Sequence, residues 1–593
     1  MLNSTQYLKE ASGLRNNLGQ WEAYESRGSC VITAGPGSGK TKVLTLKMAR
    51  MLAEDVNEPR GLVCITYSNE CARELEKRLA MLGIEPGKRI FIGTVHSFSL
   101  TQIILPYAKT AQMGLPEDFR VATKKECAEA LERAFTRTIR GRENPQVWMY
   151  RMGKYRRSML DRTSHEWTNS DPELAGLVTA FEEELRAMGR IDFDDIPLLA
   201  LTALKNNTWL QKALFAKFPI LIIDEYQDLG VALHHMVKTL CIDAGTRLFA
   251  VGDVDQSIYG FQGANPELFH QLLALDGVQH FKLRLNYRCG SRIVAASTVA
   301  LDVQRDYQAV EGNDAGLIFF HPQKGRYEAH AAFFFSKLLP AIQARLPELK
   351  VGDIAVLYPE AWMGDIISSE SEKYGIPIIR SDKNSIYPRN SRLLRWLEMC
   401  AEWCCGGWEK SIPKFSQIMN ECQRLFAKSL RDDFSRIVFQ QNIIRVLWGL
   451  RNTELQLSQW LETIDSKVIS ECSQDGNAMH AEFEMLAGFK ERCTTGDCSN
   501  MRLTQFADQG RSQDCLMLST LHSSKGREFS VVILFGMDEG RMPRRGGNEH
   551  DIIEARRSFY VGFTRAKKEL HLMYSACSPS RFVTHVKEAL DEV

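Results

Sequence analysis

A chain of 593 residues is too long for one hydrophobic core and should divide into several domains. Its 44% apolar and 25% charged residues are those of ordinary globular protein, and a net charge of +1 leaves nucleic-acid binding to local patches. No stretch approaches the roughly 18 apolar residues of a membrane helix, and the opening MLNSTQYLKE lacks a signal peptide's apolar segment. No membrane partner is expected, and the address expected is cytoplasmic.

In chain order, Val31–Thr33 is a short strand signal. It runs into Ala34, Gly35, Pro36, Gly37, Ser38, Gly39, Lys40 and Thr41, followed by a helical pattern from Lys42 to Met51. This is a P-loop in its strand–loop–helix context. Small residues let backbone N–H groups approach phosphates, Lys40 offers a charge to the β and γ oxygens, and the Thr41 hydroxyl can hold Mg²⁺. ATP and Mg²⁺ are the cofactors expected.

Apolar runs bounded by turn residues follow at Leu62–Thr66, Phe91–Thr94, Ile220–Asp224, Leu248–Gly252 and His280–Leu283. A second set lies at Leu317–His321, Ile354–Tyr358, Leu516–Thr520, Val531–Gly536 and Leu570–Tyr574. Short runs this apolar are typical of parallel strands buried on both faces. The fold class expected is α/β, with two parallel sheets. Stretches 99–190 and 386–500 read as helical insertions.

The run Leu221–Ile223 ends in Asp224 and Glu225. Asp224 would reach Mg²⁺, and Glu225 would act as general base on the attacking water. Phosphoryl transfer also needs positive charge beyond the γ-phosphate, for which Arg288 and Arg565 are candidates.

Two features are open on the residues alone. Arg133, Arg137, Arg140, Arg142, Arg151, Lys154, Arg156, Arg157 and Arg162 are interleaved with Trp148, Tyr150 and Tyr155, and only Glu143 and Asp161 oppose them in that span. The run reads either as a solvated helix face or as a strand-binding patch. Cys400, Cys404, Cys405, Cys422, Cys472, Cys493 and Cys498 lack paired C-x-x-C knuckles and read as buried thiols, with a metal site as the alternative.

Taken in order, the motifs resemble those of the superfamily 1A helicases, the UvrD/Rep/PcrA family, across nearly the whole chain. Gln20 resembles the adenine-reading Q motif, and AGPGSGKT at Ala34–Thr41 resembles motif I. ITYSNECARELEKRL from Ile65 resembles motif Ia, and GTVHSF from Gly93 the next DNA-contact motif. DFDD at Asp192–Asp195 precedes DEYQD at Asp224–Asp228, which resembles motif II. VGDVDQSIYGFQGA from Val251 resembles motif III, and LNYR ending at Arg288 motif IV. TLHSSKGREF at Thr520–Phe529 and ARRSFYVGFTRAKKEL from Ala555 resemble motifs V and VI.

The resemblance implies roles for particular residues. Gln256 would sense the γ-phosphate, and Arg288 and Arg565 would be arginine fingers from two different motor domains. Gln20, the loop Ala34–Thr41, Lys42, Tyr287 and Glu528 would hold the nucleotide. Tyr67, Asn69, Thr94, His96, Phe261, Thr520 and His522 would contact DNA. Where the family often has Trp-Arg in motif III, this chain has Phe261-Gln262, and Lys42 stands where many members have arginine.

The implied organisation is a first RecA-like motor domain from 1–98 and 191–293, interrupted by the 99–190 insertion. The second comprises 294–385 and 501–593, interrupted by a reduced insertion at 386–500. With about thirty residues after Arg565, no C-terminal nuclease domain is expected. The function expected is an ATP-driven 3′→5′ single-stranded DNA translocase or helicase in repair, recombination or anti-phage defence, acting on single strands and tailed duplexes. The alternative is a DNA-gated ATPase subunit that regulates a partner, such as the nuclease of a Gabija-like defence complex.

Overall fold

The computed structural model describes residues 4–84, 89–139, 143–388, 391–426, 429–430, 432–475, 479–496, 498–507 and 514–591. They fall into two compact units. The first comprises Met1–Ile318, Pro543–Lys568 and Arg581–Val593, and the second Phe319–Met542 and Glu569–Ser580.

The first unit is built on a six-stranded sheet. From edge to edge its strands are Ile90–Gly93, Leu62–Ile65, Ile220–Ile223, Arg247–Gly252, Cys30–Ala34 and Gln279–Leu283. Every neighbouring pair runs parallel. The apolar runs supply two cores at once because side chains alternate across a strand. Cys30, Ile32, Cys64, Ile222 and Phe249 join the core on one face, while Val31, Val63, Ile65, Leu221 and Ala250 join the core on the other.

The excursion after residue 98 is mainly helical, as expected. Helices Lys124–Thr138, Pro145–Ser158 and Pro172–Ala187 enclose a separate core around Leu131, Trp148, Met152, Val178 and Phe181. A two-stranded parallel ribbon, Arg120–Val121 with Arg190–Ile191, closes it. The arginine-rich run pairs with acids from later in the chain, at the surface for Arg133, Arg137 and Arg151 and in the interior for Arg156. Arg133 pairs with Glu184, Arg137 with Glu183, Arg151 with Asp171, Arg157 with Asp194 and Arg162 with Glu182. Arg156 is buried among Glu182, Asp192 and Asp195 at 3.1, 2.5 and 2.6 Å. Acids at 171–195, beyond that span, thus pair six of its arginines. Arg140 and Arg142 lie outside the described residues.

The second unit carries another six-stranded sheet, in the order Leu317–Gln323, Ala566–Ser575, Phe529–Phe535, Ile354–Tyr358, Leu516–Thr520 and Ile378–Arg380. The inner strands Phe529–Phe535, Ile354–Tyr358 and Leu516–Thr520 pair in parallel. A second helical body has its own core, spanning Tyr387 to Ala507 and centred on Trp396 and Trp460. Cys400, Cys404, Cys422, Cys472, Cys493 and Cys498 are buried in that core. Among the described residues no three His, Cys, Asp or Glu side chains converge as a metal set.

The units part at other places than the expected motor boundaries. Helix Ser291–Leu301 packs against helices Glu549–Phe563 and Arg581–Asp591, and all three belong to the first unit.

Candidate nucleotide and nucleic-acid site

The P-loop leaves the strand Cys30–Ala34 and enters the helix Lys40–Arg50. Gly37 and Gly39 have φ of 68° and 81°, a left-handed conformation that glycine adopts without penalty. The loop is also packed too closely for side chains. A Cβ on Gly37 would lie 2.5 Å from Asn286 Oδ1, and one on Gly35 would lie 2.7 Å from the Tyr307 ring. Gln20 is buried and donates from Nε2 to the Ser38 carbonyl at 2.8 Å. The Tyr287 N–H donates to the Gly37 carbonyl at 2.8 Å, and Asn17 donates to the Tyr287 hydroxyl.

Lys40 Nζ lies 3.3 Å from Glu225 Oε1 yet makes no aligned hydrogen bond. Burial works against its charge, but Glu225, Asp253 and Asp224 outweigh burial and hold its pKa above the ordinary value. A buried ammonium with unused donors, beside backbone N–H groups at a helix start, fits a phosphate oxyanion. Asp224 is buried at the end of the strand Ile220–Ile223, and its Oδ1 accepts the Glu225 N–H. Glu225 has φ of 52°, a left-handed conformation strained for a glutamate. Its carboxylate is held between Lys40 and Gln227, whose Nε2 donates to Oε2 at 2.6 Å. The carboxylate of Asp224 and hydroxyl of Thr41 are oxygen donors, the chemistry a hard Mg²⁺ ion takes.

The arginines close the other side. Arg565 is 2% exposed and donates to Gln256 Oε1 at 3.3 Å and to the Val561 carbonyl at 2.9 Å. Burial, with the Arg288 charge nearby, lowers its pKa to about 10, so it stays charged at neutral pH. Arg288 donates to the Thr564 carbonyl at 3.4 Å. Gln256 in turn donates to Asp253, which burial and Asp255 hold above the ordinary carboxylate range.

A few residues beyond Gln256, aromatic rings gather. Tyr67 stacks on Tyr259 with centroids 4.2 Å apart, and its hydroxyl donates to Gln262 Oε1 at 2.6 Å. Phe261 is 42% exposed. His96 stacks on Phe193 at 3.7 Å, and burial lowers its pKa to about 4, so the ring is neutral at neutral pH. Thr94 caps the turn holding His96, and Asn69 is exposed at the start of helix Asn69–Met81. Uncharged rings with a partly exposed face, led by the exposed Phe261 and Phe193, suit stacking on bases.

Residues 16–274 match the family model of the UvrD/REP helicase N-terminal domain, and residues 409–577 that of the UvrD-like helicase C-terminal domain. The chain belongs to the UvrD/Rep/PcrA-like superfamily 1A helicases. It is 27% identical to the ATP-dependent DNA helicase Rep of Escherichia coli (strain K12), across 96% of this chain and 92% of that protein. It is 25% identical to the ATP-dependent DNA helicase PcrA of Leuconostoc citreum, across 98% of this chain and 86% of the relative.

Within this helicase chain, the first unit brings together Gln20, the P-loop, Asp224, Glu225, Gln256, Tyr287, Arg288 and Arg565 with Tyr67, His96 and Phe261. Lys42 is exposed in the first turn of its helix. Thr520, His522 and Glu528 belong to the second unit, where Thr520 Oγ1 accepts the Ser523 N–H and Glu528 is exposed. Sequence reasoning quoted but did not single out Phe193, Gln227, Tyr259 and Asn286. Each lay inside a motif string, and an aromatic or amide there was signal enough to single it out.

Proposed function

We propose that this chain is an ATP-driven 3′→5′ single-strand DNA translocase that unwinds tailed duplexes. The coarser reading, an ATP-dependent DNA helicase, follows from its family. The 3′→5′ polarity rests on the family resemblance, and the observation that supports coupling of hydrolysis to movement is Gln256: it bonds to Arg565 on the nucleotide side and begins a segment that leads through Tyr259 to Phe261. A γ-phosphate contact and a base-stacking contact thus share six residues of backbone.

In this reading Lys40 and the P-loop N–H groups bind the β and γ phosphates of ATP. Thr41 and Asp224 would hold Mg²⁺, which neutralises phosphate charge when bound. Glu225 takes a proton from the attacking water, while Arg288 and Arg565 neutralise charge developing on the γ-phosphate. Gln20, Lys42 and Tyr287 hold the base and sugar of the nucleotide. Tyr67, Asn69, Thr94, His96, Phe261, Thr520 and His522 grip the strand, mainly through sequence-tolerant stacking. Two motor domains, each with a helical insertion, would alternate that grip as ATP is bound and released.

The test is ATP hydrolysis with no DNA, with single-stranded DNA, and with 3′- and 5′-tailed duplexes, following strand separation alongside. Strong single-strand stimulation with unwinding only from the 3′ tail is expected. Stimulation without unwinding overturns the helicase reading in favour of a gating subunit. Equal stimulation by RNA overturns the choice of DNA.

A further inference from the structure

Helix Glu549–Phe563 precedes Arg565, and it carries Glu554 eleven residues before that arginine, on the order of 16 Å along the axis. Glu554 Oε1 accepts the Gly260 N–H at 3.0 Å, and the carboxylate also accepts the Phe261 N–H. A single 3₁₀ turn, Gly260–Gln262, starts there, so its first donors are met by one carboxylate. A Cβ on Gly260 would lie 2.7 Å from Glu554 Oε2, so a side chain there would have to push that carboxylate away. The turn presents Phe261, its Gln262 accepts from Tyr67, and Tyr259 just before it stacks on Tyr67.

One helix therefore leads to both anchors of one short segment. Arg565, just past its end, holds Gln256, and Glu554 holds the turn four residues later. We propose that Glu554 is a positioning residue: it fixes the aromatic turn that grips single-stranded DNA and, paired with Arg565, makes the helix a two-point clamp carrying nucleotide state to strand grip. The inference rests on the DNA-dependent ATPase reading above. A charge-assisted pair of hydrogen bonds contributes enough to matter at the turn without touching nucleotide.

The test compares wild type with Glu554→Gln and Glu554→Ala. It measures hydrolysis against single-stranded DNA concentration, strand affinity by fluorescence anisotropy with and without a non-hydrolysable ATP analogue, and the thermal midpoint. For Glu554→Ala, the half-saturating DNA concentration should rise about tenfold or more, with turnover at saturating DNA within about threefold of wild type. Its strand affinity should no longer respond to the analogue. Glu554→Gln keeps an acceptor oxygen and should fall between. Unchanged half-saturation and an unchanged analogue response would overturn the proposal. So would a drop in thermal midpoint with parallel loss of turnover in both variants, which marks a merely structural residue. A wild-type protein that hydrolyses ATP without DNA stimulation removes the underlying reading, and the clamp with it.

Discussion

Lys40 and Glu225 pair at 3.3 Å with little exposure on either side. Glu225→Gln keeps the shape and removes the base. Turnover should fall roughly 10²- to 10⁴-fold, while single-strand affinity stays within about twofold. Lys40→Ala should abolish turnover with the same retention of strand binding. Arg565→Ala should lower turnover about 10³-fold or more, as loss of an arginine finger does. A coupled ATPase assay beside anisotropy checks all three, and a variant with wild-type turnover would remove that residue from the site. His96 makes a different prediction. Its pKa in the folded protein is about 4, below the ordinary 6.5, so the folded state binds the proton less well than the unfolded chain. The resulting stability is present above pH 6.5 and is lost as pH falls from there toward 4. Between pH 7 and pH 5 wild type should lose roughly 1–2 kcal/mol more than His96→Gln, read from urea denaturation.

At the scale of elements, strands were the legible part. Every expected apolar run became a strand of one of the two sheets, the inner ones because buried parallel strands are apolar on both faces. Ile378–Arg380 escaped notice because three residues ending in arginine make no run, and two-residue ribbons such as Arg120–Val121 leave none. The helical insertion hid something larger. Read along the chain, its arginines had almost no opposing charge, yet their partners sit on helix Pro172–Ala187 and the DFDD turn. Replacing Arg133 and Arg137 together with glutamine should therefore leave single-strand affinity within about twofold and change stability by no more than about 1 kcal/mol, as exposed pairs do. Arg156 is the contrast. It is 4% exposed and bonds to three carboxylates. Arg156→Ala strands buried negative charge and should destabilise the protein by about 3–5 kcal/mol, seen as a lower denaturation midpoint.

At the scale of the whole molecule, the chain leaves its first compact unit at residue 318 and returns to it twice, at Pro543 and Arg581. The strand series alone assigns 294–385 and 501–593 to one motor domain and gives no sign of these two returns, which are made by helices. What draws the chain back is helix Ser291–Leu301, whose buried Ile293, Val294 and Ala300 need cover from helices Glu549–Phe563 and Arg581–Asp591. The returning helices bring Phe559, Phe563, Phe582 and Val586 into the interior, each side chain worth about 1.5–3 kcal/mol when fully buried. They also bring Arg565 and Glu554. A fragment of residues 1–318 would keep the whole first sheet and the P-loop, yet it would lack that cover and one arginine of the site. It should self-associate on size-exclusion chromatography, melt below the full-length protein and show no DNA-stimulated hydrolysis. Fusing residues 543–568 and 581–593 behind it through flexible linkers, without the second unit's segment 569–580, should restore a monomeric peak. A fragment of 1–318 that is already monomeric and as stable as the full chain would mean that the returning helices are ornament to a unit complete without them.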